Sequence, residues 1–181
     1  MSLRAGFGKA GCGAGPGTAT ATATAGGAVP PATLDRAGIA ALLPHQGRMC
    51  LLDRLLRWDA ESIECASAGH ADPGHPLRTA SGLLAPAAIE IAAQAMALHG
   101  ALAAQGDGAA ASPGFLASVR NVRFATARLD DVAGDLRVRA RRLVGDGRQR
   151  VYAFEVADAA GRLLADGRAT VVLDTALEDA P

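Results

Sequence analysis

The chain has 181 residues, half of them hydrophobic, with 18 basic and 18 acidic side chains and so no net charge. That length suits one ordinary globular domain plus a tail, and the charge balance gives no case for a nucleic-acid partner. Cys12, Cys50 and Cys65 lack C-x-x-C or any metal-ligand spacing, which reads as reduced thiols of a cytoplasmic protein with no metal site.

Residues 1–33, with GKAGCGAGPGTATATATAGGAVPP at their centre, are low-complexity Ala/Gly/Thr/Pro sequence. Such a segment buries too little apolar surface to offset chain entropy, so a disordered tail is expected. It has no continuous apolar stretch of the kind a secretory signal needs. The folded domain is expected over 34–175, with a short tail at 176–181. Asp35 is a plausible helix cap before AGIAALLP, a short helix ended by Pro44. Met49 to Asp59 and Ser62 to His70 read as two strands joined by a hairpin-length turn. From Pro86 to about Leu102 the chain is almost wholly Ala, Ile, Leu and Met, and a helix apolar on nearly every side is a buried one. An internal carboxylate makes it a poor membrane span. Four β-like runs follow, at 115–124, 135–144, 150–158 and 162–174. In the second of these Leu136, Val138 and Ala140 alternate with Arg137, Arg139 and Arg141, the pattern of a half-buried antiparallel strand. The expected class is α+β, an antiparallel sheet wrapped around one long central helix.

Two residues in this frame draw attention as chemistry. His75 stands shortly before the apolar helix and Glu90 within its first turns. A carboxylate in such a helix is costly unless paired, neutral or used, and burial would favour the protonated form that a general acid needs. Gln94 lies one turn on and shares the face of Glu90, as a supporting or dimer-contact residue. His99, nine residues from Glu90, points to the opposite side. His45 suits a structural hydrogen bond, and His70, five residues before His75, is the rival catalytic histidine. Arg120, Arg123, Arg137 and Arg139 read as a solvated strand face, or as a basic patch for an acidic carrier protein.

LLPHQGRMCLLDR (42–54) resembles the LPHR…LLVDR opening of β-hydroxyacyl-acyl-carrier-protein dehydratases of the FabZ type. His75…Glu90-x-x-x-Gln94 is similar to their GHFP…PGVLxxEAxAQ block. HPLR…IEIAAQAMALHG is closer still to the branch that includes the dehydratases of aryl polyene pigment clusters, and the likeness covers roughly 36–174. It implies the hotdog fold and the dehydration of 3-hydroxyacyl thioesters on acyl carrier protein, without cofactor or membrane. His75 would take the proton from the carbon α to the thioester. Glu90 would orient water or protonate the departing hydroxyl, since both ends of the reaction need proton transfer. Exposed N–H groups at the helix start, around Ala85, Pro86 and Ala87, would polarise the thioester carbonyl. A homodimer, or a heterodimer with another hotdog chain, is also implied. The sequence departs from the family in three places: Leu84 and Ala85 stand where it has Pro-Gly, His75 precedes Glu90 by fifteen residues where the family has about fourteen, and GHFP is reduced to Gly74-His75-Pro76. Two other readings stay open. One is a hotdog thioesterase with Glu90 as nucleophile or base, the other a non-catalytic subunit completing the site of a second hotdog chain.

Overall fold

The computed structural model describes residues 33–106, 114–146 and 148–173. The tail expected over 1–33, except Thr33, and the tail at 176–181 lie outside the described residues, as does Cys12.

Leu34–Asp35 forms a two-residue strand, β1, and Asp35 caps α1 (Arg36–Leu42) as expected, its carboxylate accepting from the Gly38 N–H at 2.9 Å. The first long strand is shorter than its sequence suggested. A 3-10 turn occupies Gly47–Met49, and β2 runs only Arg54–Trp58. The cause lies in the hydrogen bonding: Met49 O and Leu51 N–H are engaged by the Gln94 side chain, and Leu51 O by Ser67 Oγ, so this stretch has less to offer a ladder. β3 (Ser62–Ser67) likewise stops early, where a second 3-10 turn takes Gly69–Ala71. The core helix α2 spans Ala87–Gly106, starting directly after Pro86. β4 (Gly114–Phe124), β5 (Leu136–Gly145), β6 (Gln149–Ala157) and β7 (Leu163–Leu173) match the four expected runs to within two residues.

Each hairpin reversal is held by one aspartate. Asp59 Oδ1 accepts from the N–H groups of Glu61 and Ser62, Asp146 Oδ1 from those of Arg148 and Gln149, and Asp158 Oδ1 from those of Ala160 and Arg162. Gly161 adds a positive φ of 86°, open to glycine at no steric cost. The seven strands form one antiparallel sheet in the order β1-β2-β3-β5-β6-β7-β4. Ile63, Cys65, Leu136, Val138, Ala140, Tyr152, Phe154 and Val156 are buried with α2 in a single core. Gly167 is required there: a Cβ on it would stand 2.9 Å from the Phe154 ring. On the other face Glu64, with only 6% of its side chain exposed, is held by Arg57, Arg137 and Arg139. Burial works to raise its pKa, and the hydrogen bonds and charges of Arg139 and Arg57 outweigh that and lower it.

By length and composition α2 could cross a membrane, with a mean hydropathy of 1.3, but its apolar residues are the centre of this core. The arrangement is the hotdog fold, a curved antiparallel sheet around one helix.

Candidate active site

The approach to α2 is tied to the loop before β5. Leu129 N–H donates to Leu83 O at 2.8 Å, and Ala85 N–H to Ala127 O at 2.9 Å. The first turn then tightens on itself. The N–H groups of Ala87, Ala88 and Ile89 donate to Leu84 O, Ala85 O and Pro86 O, each at 3.0 Å, and Pro86 has none to offer. Ala85 is buried, Ala87 half-buried and Pro86 exposed. The donors expected to meet a thioester carbonyl here are therefore already used within the chain.

Glu90 follows in the same first turn, and its setting differs from the apolar burial its helix suggested. The side chain keeps 34% of its surface exposed. Oε1 accepts from Gln94 Nε2 at 3.0 Å, and His45 Nε2 stands 3.4 Å from the same oxygen. Oε2 has no partner among the described residues. Gln94 is fully buried and does more than steady the carboxylate: Nε2 also donates to Met49 O, and Oε1 accepts from Leu51 N–H, both at 2.8 Å. Gln94 is thus a clamp inside the protomer rather than a dimer contact. The loop it clamps carries His45. His45, expected to make a structural hydrogen bond, stands at the candidate site beside Glu90. The signal was the LLPHQGRM motif itself.

His75 reaches the same loop from the other side. Its segment is folded by Asp72, whose Oδ1 accepts from the Gly74 N–H at 2.8 Å and whose carbonyl accepts from the His75 N–H at 2.9 Å. Arg48, on the Gly47–Met49 turn, binds Gly74 O and pairs with Asp72 at 3.3 Å. The loop from Pro44 to Leu51 therefore touches the His75 segment through Arg48 and Glu90 through His45. No hydrogen bond joins His75 to Glu90 among the described residues. His75 as a whole residue is 7% exposed, and its Nδ1 accepts from the Leu77 N–H at 3.2 Å. Burial lowers the pKa of His75; Asp72 opposes this, and His70, Arg48 and Arg78 add to it. The ring is thus neutral at physiological pH, with its proton on Nε2.

The other histidines stand apart. His70 is buried and bonded through Nε2 to Val132 O at 3.0 Å. His99 is fully buried, its ring between the Tyr152 hydroxyl at 3.0 Å and Asp59 O at 2.9 Å, away from Glu90 as its spacing required. Arg123 and Arg139 line a groove of about 620 Å³ on the outer face of the sheet, with Glu64 and Asp166 as counter-charges. Among the described residues no group of three His, Cys, Asp or Glu is placed to hold a metal ion.

The chain and its fold have relatives. The model of the ApeP-like family, described as ApeP dehydratase, matches residues 37–180. The dehydratase heterocomplex ApeI:P from Xenorhabdus doucetiae superposes with a TM-score of 0.69 at 23% identity, over 77% of this chain and 93% of that one. A thioesterase from Haemophilus influenzae gives 0.58 at 14% identity, over 83% of this chain and 98% of its own. No curated protein matches the chain in sequence. The structural likenesses speak for the hotdog fold, which dehydratases and thioesterases share. With the family model spanning nearly the whole described domain, the chain belongs to the ApeP-like dehydratase family.

Proposed function

We propose that the protein dehydrates 3-hydroxyacyl thioesters carried on acyl carrier protein to trans-2-enoyl thioesters, in the biosynthesis of a polyene or a fatty acid, and that His75 and Glu90 are the groups that meet the substrate. The observation that carries this is Glu90. It is a one-third exposed carboxylate in the first turn of an otherwise apolar core helix, with one oxygen held by Gln94 and beside His45 and the other free. Dehydration needs a proton removed from the α carbon, a proton delivered to the departing hydroxyl and a polarised thioester carbonyl. A carboxylate with one free oxygen and a neutral imidazole with a free N–H can divide those tasks.

We further propose that the working unit pairs this chain with a second hotdog chain. β4, eleven residues long, is an edge strand of the sheet, and Phe115, Leu116 and Phe124 on it are 38–41% exposed. A long apolar edge is covered in stable proteins. That the solved dehydratase from Xenorhabdus doucetiae is a heterocomplex supports a non-identical partner. The buried free thiols Cys50 and Cys65 suit the cytoplasm.

The test supplies a 3-hydroxyacyl carrier-protein thioester to the protein, alone and with a second hotdog chain from a polyene gene cluster. Appearance of the enoyl thioester is expected. Release of free thiol would replace this reading by a thioesterase, and absence of both products with the partner present would refute it.

A further inference from the structure

His75 sits in a tight turn whose two flanks are tied down differently. The Arg78 N–H donates to His75 O at 2.9 Å, and the Leu77 N–H inside the turn holds the ring through Nδ1 at 3.2 Å. Before the turn, Arg48 binds Gly74 O and pairs with Asp72, but both side chains are exposed, and an ion pair open to water fixes geometry weakly. After the turn the tie is buried. Arg78 Nη1 stands 2.8 Å from Asp130 Oδ2, and the Asp130 side chain is only 4% exposed. Arg128 completes the cluster, with Nε 3.1 Å from Asp130 Oδ1 and Nη2 2.7 Å from Oδ2. The Arg128 hydrogen bonds, aided by the charges of Arg128 and Arg78, hold the Asp130 carboxyl below its usual range against its loss of hydration, so it is ionised at neutral pH. The loop that follows Arg78 is shaped to this cluster. Thr79 and Gly82 exchange backbone hydrogen bonds at 3.0 Å, and Gly82 takes a φ of 100°. A Cβ there would stand 2.5 Å from Arg128 Nη2 and 2.7 Å from Asp130 Oδ2, so the backbone lies directly on the ion cluster.

Arg78 is also felt at the ring. Burial does most to disfavour a second proton on His75; Asp72 opposes it, and the charges of His70, Arg48 and Arg78 add to it. Resting on the dehydratase reading, in which His75 meets the substrate, we propose that Arg78 and Asp130 are a positioning pair for the reaction: their buried ion pair fixes where the His75 ring stands, and both act through that ring without touching the substrate. The effect follows from geometry. A reacting group displaced by about 1 Å can cost on the order of 10²-fold in rate with every catalytic group still present. The exposed contact between Arg48 and Asp72 cannot hold the ring that closely by itself. Loss of either Arg78 or Asp130 leaves the other charge without its buried partner, and the turn that carries His75 shifts as that charge seeks another.

The experiment compares Arg78→Met, Arg78→Lys and Asp130→Asn with the wild type, each together with the partner hotdog chain, on a 3-hydroxyacyl carrier-protein thioester. Nitrogen NMR follows the titration of His75 in the same proteins. Arg78→Met keeps the apolar stem and removes the charge. Its kcat should fall by roughly 10- to 10²-fold at nearly unchanged KM, and the His75 midpoint should move up because one positive neighbour is gone. Arg78→Lys restores the charge, and it should return the midpoint and recover most of the lost kcat. Asp130→Asn keeps the Arg78 charge and loosens its anchor, so kcat should fall while the midpoint does not rise. Folded Arg78→Met and Asp130→Asn that lose thermal stability yet keep the wild-type kcat would overturn the proposal, since a purely structural pair moves stability alone. Arg78→Gln, which keeps an amide within reach of Asp130, carries the same two readings if Arg78→Met does not fold. A wild type that does not dehydrate with its partner present would defeat the dehydratase reading instead. The titration tests the pair even then, and a His75 midpoint unmoved by loss of the Arg78 charge would overturn it.

Discussion

Gln94 should be the side chain whose loss costs the domain most for its size. It is fully buried and makes three hydrogen bonds, to Leu51 N–H, Met49 O and Glu90 Oε1. Replacement by Met keeps the volume and removes all three. Leu51 is buried, and its orphaned N–H would cost about 2 kcal/mol; the half-buried Met49 carbonyl would add about 1 kcal/mol. Glu90 is exposed enough for water to replace its lost donor. The sum, about 3 kcal/mol, is a large share of a typical domain's stability and corresponds to a fall in Tm of roughly 10 °C. Thermal denaturation followed by circular dichroism measures it. Gln94→Met within about 2 °C of the wild type would show that the clamp contributes nothing, and the account of why β2 starts late would fail with it.

Glu90→Gln should lower dehydration by roughly 10²- to 10⁴-fold while leaving Tm within a few degrees, because the carboxylate is exposed and serves no packing; full activity in this variant would refute the mechanism. Stability should fall as pH drops from about 6.5 toward 5: burial lowers the folded pKa of His99 and of His75 below their ordinary 6.5, so the unfolded chain binds more protons in that window and the histidines' contribution, complete above it, is lost on acidification. The arginine-held carboxylates, also lowered, act only at lower pH, so a Tm constant between pH 7.5 and 5 would contradict the histidine burial. Cys65, whose thiol burial pushes up to about 12, should resist iodoacetamide in the native protein at pH 8 and react on unfolding, as mass spectrometry of the labelled peptide would show.

What could be read from the sequence were the features whose causes are local. The alternation of Leu136, Val138 and Ala140 with arginines is a period-two pattern that only a half-buried strand satisfies, and β5 sits there. Asp35 caps α1 through a carboxylate three residues from its donor, and the hairpin aspartates act over two to four residues. The site was legible in its residues and not in their contacts. Gln94 meets Met49 and Leu51 across 45 and 43 residues of chain. Nothing in the strand-like run from Met49 to Asp59 announces that a distant amide engages its first peptide groups. The tautomer of His75 depends on a single N–H two residues on, a matter of loop geometry that composition does not encode.

The exposure of Glu90 shows where the reading of an apolar helix as a buried one breaks down, and why. α2 is apolar nearly all round, and over most of its length the sheet and the rest of the core do cover it. Its first turn faces neighbours of another kind. There the approach through Ala85 is bonded to Ala127, and the loop from Pro44 to Leu51 stands beside Glu90. That loop brings an imidazole to one oxygen of the carboxylate, and Gln94 brings an amide, so the carboxyl group sits in a polar niche open to one side rather than in the core. A carboxylate buried among leucines would have to be neutral or paired. One held at a single oxygen and open at the other has an oxygen left to meet a substrate. The polar loop is what converts a costly position in an apolar helix into a usable one.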